Sequence, residues 1–186
     1  AARVAVGIEG LGLSERAFQQ ARNYARERRQ GREPAGDTQG PAPIIRHPDV
    51  RRMLLMMKAR TEAMRTLAAD AGLAADLASH HPDPGIRAMQ EARLGILTPL
   101  VKAWRTDSAV DIASSALQVH GGAGYIEETG AAQILRDARI TPIYEGTNGI
   151  QALDLVRRKL AGDGGHTIGA MIEEVRQFDG LLAEII

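Results

Sequence analysis

From residue 2 to about residue 29 the apolar positions Val4, Ile8, Leu11, Phe18, Ala21 and Tyr24 fall three, four or seven residues apart. Glu15, Arg22, Arg26 and Glu27 occupy the positions between them. A period near 3.6 predicts an amphipathic helix with one buried stripe. Residues 31–43 are rich in glycine and proline and predict a loop. A second helix is predicted from Pro48 to about Ser79, because proline suits the first helical position and Asp49 the first turn. Its stripe of Val50, Leu54, Met57, Thr61, Met64, Leu67, Ala68 and Ala71 has near-heptad spacing, and its methionines read as bundle core rather than a binding surface. A third helix is predicted over about 86–119, with Ile112, Ala113, Ala116 and Leu117 on one face. Pro99 is expected to kink it or to follow a break. Gly121, Gly122 and Gly124 stop it. Shorter helices are predicted near 128–138 and 146–160, and residues 162–165 form a glycine-rich break before a last amphipathic segment at 168–186. No segment alternates with period two and no internal repeat is present, so the expected fold is all-α, with long helices joined antiparallel.

Composition narrows the function classes. Lys and Arg number 23 and so do Asp and Glu, a formal net charge of zero, so no basic field favours nucleic acid or anionic lipid. The chain has no cysteine, which excludes disulfides and a thiolate nucleophile and fits a cytoplasmic protein. No apolar run approaches a membrane span and no signal-peptide layout opens the chain. Its start, without an initiator methionine, reads as a piece of something longer. None of its histidines has metal-ligand spacing, so no metal is assigned.

Residues 140–151 carry the most chemistry. Pro142 ends the approach, Gly146 gives the backbone room, and Thr147 and Asn148 suit a helix N-terminus. Between them stands one carboxylate, Glu145. Ile140, Ile143 and Tyr144 are expected to desolvate it in part and so to raise its pKa toward that of a general base; the plain alternative is a solvated turn glutamate. The glycines at 121–124 can be read as a phosphate-cradling loop or as a helix-terminating turn, and the dinucleotide-binding fingerprint is absent. Arg28 belongs to an arginine-rich stretch whose default reading is surface solvation. Arg136–Asp137 is read as a buried ion pair that locks the turn.

The run Ile143-Tyr144-Glu145-Gly146-Thr147-Asn148-Gly149-Ile150-Gln151 strongly resembles the catalytic segment of the flavin-dependent acyl-CoA dehydrogenases. The resemblance continues upstream through Leu135-Arg136-Asp137-Ala138-Arg139-Ile140, through Gln118-Val119-His120-Gly121-Gly122-Ala123-Gly124-Tyr125, and into the first helix, covering about 160 residues. It implies that residues 1–160 form the family's C-terminal four-helix-bundle-like domain, and that 161–186 are a linker and the start of an additional helical segment. That extra segment is a mark of the larger members, among them those acting on 3-methylmercaptopropionyl-CoA. The resemblance further implies that Glu145 is the base and that Arg3, Tyr144 and Gly146 lie beside the acyl-CoA. It gives contacts with FAD to Arg28, His47, Gln118, Gly121, Gly122, Gly124 and Thr147, several of them reaching a cofactor held mainly by a neighbouring subunit. Tyr24-Ala25-Arg26-Glu27-Arg28 is similar to the family's arginine-bearing segment but lacks the phenylalanine that usually follows, and Pro48 replaces a frequent glutamine after His47.

The implied reaction is α,β-dehydrogenation of an acyl-CoA thioester. Glu145 would take the α-proton, FAD would accept the β-hydride, and the backbone N–H of Glu145 with a ribityl hydroxyl would stabilise the developing enolate. An electron-transfer flavoprotein is the implied electron acceptor, and a homodimer or homotetramer the implied assembly. A fragment lacking the family's other domains is expected to be inactive alone. Two other classes share these motifs: an acyl-CoA oxidase, and a non-catalytic flavin- and DNA-binding relative of the alkylation response, which the neutral charge does not favour.

Overall fold

The computed structural model describes residues 2–33 and 40–183, with side chains described to 177. Helix α1 (Ala2–Glu27) leads through a short 3-10 turn at Ile44–Arg46 into α2 (Pro48–His80) and α3 (Pro84–His120). There follow the one-turn α4 (Gly122–Tyr125), α5 (Ala131–Ile140), α6 (Asn148–Asp154), which continues as a π-helical stretch Leu155–Leu160, and α7 (His166–Ala183). Each start has a local cause. Pro48 sits in the first turn of α2, and the Asp83 carboxylate caps α3 by accepting from the Gly85 N–H at 2.7 Å. Asp163 caps α7, accepting from Thr167 N at 2.9 Å, and these hydrogen bonds hold its carboxyl below the ordinary range.

Cross-helix pairs define the directions. Glu15 meets Arg65, and Asp70 meets Arg93, so α2 runs antiparallel to both α1 and α3. Gly7 lies against Val101, Gly10 against Arg105 and Tyr24 against His120, so α1 and α3 run side by side in the same direction. An antiparallel alternation of α1, α2 and α3 makes this pair parallel, and here the two helices are also in close contact. That contact exists because α1 presents small residues: a Cβ on Gly7 would stand 2.8 Å from the Val101 carbonyl oxygen, and Ala17, Ala21 and Ala25 are buried behind it.

The fourth column of the bundle is not one helix. Gln20 hydrogen-bonds the Thr129 carbonyl, Glu9 meets Tyr144, and Arg3 meets Asp154. The path from α5 through residues 141–147 to α6 therefore runs antiparallel to α1, broken in the middle. The core between the columns joins Phe18, Leu54, Met57, Met64, Ile112 and Ile134, so the stripe methionines Met57 and Met64 are core, whereas Met56 is exposed. A smaller cluster of Ala71, Ala74, Leu97 and Val101 reaches Met171 on α7.

Pro99 does not break α3, which is one helix from Pro84 to His120. Pro99 is buried on this helix, where the packing around it holds α3 continuous. Packing here outweighs the lost backbone bond. The Arg136–Asp137 pair is also corrected: Arg136 reaches Glu127 at 3.7 Å, Asp137 accepts from Gln133, and both are exposed. Adjacent residues on a helix point about a hundred degrees apart and do not face each other. Arg105 is wholly buried with its guanidinium unpaired among the described residues, and burial lowers its pKa to about 10; nothing in the structure accounts for this cation.

The glycines of α1 give a direct test. Gly7→Val should destabilise the chain by roughly 1–3 kcal/mol through overpacking. Gly12, where an added Cβ meets nothing within 4 Å, should gain about 0.5–1 kcal/mol as alanine. Urea unfolding midpoints of the two variants should move in opposite directions.

Candidate active site

Residues 141–147 must leave one helix and enter the next within a few residues, and buried polar groups force the geometry. Thr141 is buried and its hydroxyl donates to the Ala138 carbonyl at 2.8 Å, ending α5. The Asn148 N–H donates to the Pro142 carbonyl at 3.0 Å and closes the turn. Thr147 is the N-cap of α6, its hydroxyl oxygen accepting from Ile150 N at 3.4 Å. Inside this closure Glu145 has φ +54°, the single non-glycine positive φ among the described residues, and Gly146 follows at φ +84°. Left-handed backbone at a glutamate is uncommon and persists only where its surroundings impose it.

The constraint comes from three directions. Gln151, wholly buried on α6, turns its amide back to donate to the carbonyls of Gly146 at 3.1 Å and Glu145 at 3.4 Å. A Cβ on residue 146 would lie 2.7 Å from that same amide nitrogen, so glycine is required twice over. Asn148 is bolted to α3: its side-chain oxygen accepts from Lys102 Nζ at 2.8 Å, and its amide donates to Asp107 at 2.7 Å, Thr106 at 2.9 Å and the Ala103 carbonyl at 3.1 Å. Burial lowers the Lys102 pKa, with nearby Asp107 opposing and Arg3 adding to the shift. Asp154, buried at the end of α6, pairs with Arg3 at 2.8 Å and Arg158 at 2.6 Å. Its burial opposes ionisation, but the Arg3 hydrogen bond and the surrounding cations prevail and hold its pKa below the ordinary value.

Tyr144 is tied to α1 by donating its hydroxyl to Glu9. That bond first, then burial and the charges of Glu9 and Glu145, push the phenol up to about 12.

The cover expected over Glu145 is not supplied by the turn itself. Glu145 is exposed, and Ile140 and Ile143 are about half exposed, at 51% and 49%. Apolar residues next to a carboxylate in sequence point outward here with it. Ile8, Ile150 and Leu153 add further exposed apolar surface on the adjoining helices. Glu145, Tyr144 and Gly146 are therefore together, while Arg3 is engaged by Asp154 rather than free.

A second group of predicted residues gathers at the opposite end of α1. A cleft of about 280 Å³ is lined by Tyr24, Arg28, Gln30, Val119, His120, Gly121 and Gly122 among others. Tyr24 stacks on His120 with ring centroids 4.5 Å apart. Gly121 has φ +60°, and a Cβ on Gly121 or Gly122 would meet nothing within 4 Å. Gly124 differs, since a Cβ there would strike the Leu117 carbonyl at 2.5 Å, so this glycine serves helix packing. Gln118 is exposed on the last turn of α3, its carbonyl accepting from Gly121 N. His47 stands beside the cleft, its Nε2 2.7 Å from the Gln30 carbonyl oxygen. At 1.5 Å rise per residue, Arg28 lies about 28 Å along α1 from Glu9. Arg28, Gly121 and Gly122 are thus brought together, and Glu145, Tyr144, Gly146 and Thr147 form a separate centre. Sequence reasoning missed Lys102, Gln151, Asp154, Glu9 and the Tyr24–His120 stack. Gln151 and Asn148 stood within the recognised segment, and their polarity was the available signal; Lys102 and Glu9 gave none.

Residues 1–160 match the acyl-CoA dehydrogenase C-terminal domain family, and the chain belongs to that family. It is 51% identical over 98% of its length to 3-methylmercaptopropionyl-CoA dehydrogenase of Ruegeria pomeroyi, of which it covers 31%. It is 36% identical over 95% of its length to a butyryl-CoA dehydrogenase of Syntrophomonas wolfei, covering 29% of that protein. Caenorhabditis elegans ACDH-11, solved in complex with C11-CoA, superposes with a TM-score of 0.78 at 26% identity, over 92% of this chain and 27% of its own. The chain thus spans about a third of the length of these relatives. No helix among the described residues is long and apolar enough to cross a membrane.

The Tyr144–Glu9 bond predicts a titration. A phenol with a raised folded-state pKa keeps its stabilising contact below the ordinary value of about 10 and loses it as pH rises through the folded value. Ultraviolet titration of phenolate should therefore show a late step near 12, and Glu9→Gln should bring that step down toward 10.

Proposed function

We propose that this chain is the base-bearing, cofactor-contacting domain of an FAD-dependent acyl-CoA dehydrogenase, and that Glu145 removes the α-proton of an acyl-CoA thioester. One observation carries the reading: Glu145 stands in left-handed backbone braced by the buried Gln151 side chain, while Glu145 itself is exposed. Such a carboxylate is directed at something outside the chain. The exposed apolar rim of Ile8, Ile140, Ile143 and Ile150 fits a ligand or a neighbouring domain that would exclude water and raise its basicity. Tyr144 and Gly146 flank the substrate in this reading. The Gln151 bonds to the Glu145 and Gly146 carbonyls hold the backbone that follows Glu145, and the Glu145 N–H, in the preceding peptide, is a candidate donor to the developing enolate oxygen.

The residues of the second cleft fit FAD. Gly122 is required neither by backbone angle nor by this chain's own packing, so its missing side chain leaves room for a closely approaching group. Arg28 offers a planar fork for a pyrophosphate, Gly121 and Gly122 exposed backbone, and His47 and Gln118 lie at the margin. Thr147 spends its oxygen on the cap but keeps a hydroxyl proton to donate to a phosphate. When bound, FAD would supply the hydride acceptor. Two half-built centres about 28 Å apart suit an assembly in which each chain contributes to two cofactors, a homodimer or homotetramer. An electron-transfer flavoprotein is the proposed acceptor. Arg3, expected beside the substrate, is read with Asp154 as support for the turn.

Two experiments test this on the full-length protein. Glu145→Gln should keep the flavin and lose at least ~10³-fold in anaerobic bleaching by acyl-CoA, the effect of removing a positioned base; turnover within tenfold of wild type would exclude the assignment. Gly122→Val should leave the unfolding midpoint unchanged to within about 0.5 kcal/mol, as for a substitution that meets nothing, yet lower the flavin content of the purified protein. Full flavin retention would remove Gly122 from the cofactor site.

A further inference from the structure

Lys102 is costly where it stands. The residue is wholly buried on α3, and its ammonium donates to a neutral amide, the side chain of Asn148. No carboxylate hydrogen-bonds to it among the described residues; Asp107 acts on it only at a distance. An apolar side chain of similar volume would avoid desolvating a charge. The contact it makes explains its presence better than stability does. Asn148 closes the turn with its backbone, donating to the Pro142 carbonyl, and anchors it with its side chain. The Lys102 ammonium can only donate, so its bond to Asn148 Oδ1 fixes the amide in one orientation and commits its NH₂ group to α3. Between the ammonium and the backbone that carries Glu145 lie one hydrogen bond and one side chain.

We propose that Lys102 is a positioning residue for proton abstraction: through Asn148 it fixes the turn that places Glu145 against the acyl-CoA. The inference rests on the reading of Glu145 as the base. A misplacement of about 1 Å at a reacting group costs on the order of 10²-fold in rate. Lys102 would therefore act on turnover and leave substrate binding largely intact.

The test uses the full-length flavoprotein with a saturating acyl-CoA. Lys102→Met should lower kcat ~10²-fold, with KM within about threefold and flavin content unchanged, as expected when only a transition-state contact is disturbed. In the Glu145→Gln background the same substitution should cost nothing further, because there is no base left to position. A structural fault would instead multiply with the Glu145→Gln loss, and that result would overturn the proposal. So would a Lys102→Met enzyme with kcat within threefold of wild type while Glu145→Gln is severely impaired. If Glu145→Gln itself is active, the reading of the base fails first, and the two failures are told apart. Should Lys102→Met not retain flavin, Asn148→Ser leaves the lysine in place and removes the link; it carries the same expectations and the same grounds for rejection.

Discussion

The close parallel contact of α1 with α3 is the constraint on which the other features depend. Gly7 and Gly10 let the two backbones approach, and Ala17, Ala21, Ala109, Ala113 and Ala116 keep the seam narrow along its length. A narrow seam makes α1 a rigid rod with both ends fixed. Its first turns carry Arg3 and Glu9 to the broken column, and its last turn carries Tyr24 to His120 with Arg28 just beyond. Two centres far apart are thereby held in register by packing that contains no functional group. Aliphatic contacts at this density resist deformation, so displacing one end would be felt at the other.

The break in the fourth column shows a different economy. Pro142 and Gly146 prevent α5 from continuing into α6 as one unbroken helix, and the turn that replaces it has Lys102, Gln151 and Asp154 buried to hold it. Buried polar groups of this kind add little net stability, and a half-satisfied network costs stability. Gln151 even leaves its Oε1 without a partner among the described residues. Their common effect is to select one geometry for residues 141–147. The strain at Glu145 is held because several groups on α3 and α6, not one, oppose its release.

The helices were legible in the sequence wherever a single period decided the matter. The 3.6-residue stripe, Pro48 at the start of α2, the glycines after His120 and the glycine-rich break at 162–165 all mark boundaries close to those observed, because each acts through local backbone chemistry. What was not legible depended on which helix lies beside which. Pro99 reads as a kink or a break until it is seen buried within a continuous helix. The direction of α1 relative to α3 follows from antiparallel alternation, but that the two pack directly against each other leaves no mark in either helix's own period. For the site, the segment around Glu145 announced the carboxylate, but its exposure could not be inferred from apolar neighbours in sequence, which accompany it outward. Lys102 lies 43 positions from Glu145 in a helix whose polar residues look like any solvated face.

The exposure of Glu145 and the openness of Gly122 point the same way. On the proposed reading of Glu145 as the base, a completed site would bury that carboxylate and fill the space beside Gly122, and here neither is done by the chain's own atoms. The support of the turn, by contrast, is supplied by the chain itself: the turn is closed by the Asn148 N–H, capped by Thr147 and tied to α3 through the Asn148 side chain. Rigid support on one side and unfinished surface on the other is what a domain needs if precision is to survive assembly. The reacting group must be placed before the pocket closes, since a closing surface can exclude water but has little leverage over backbone angles held from behind. The buried network therefore sits on the side of the turn away from solvent, where assembly cannot disturb it.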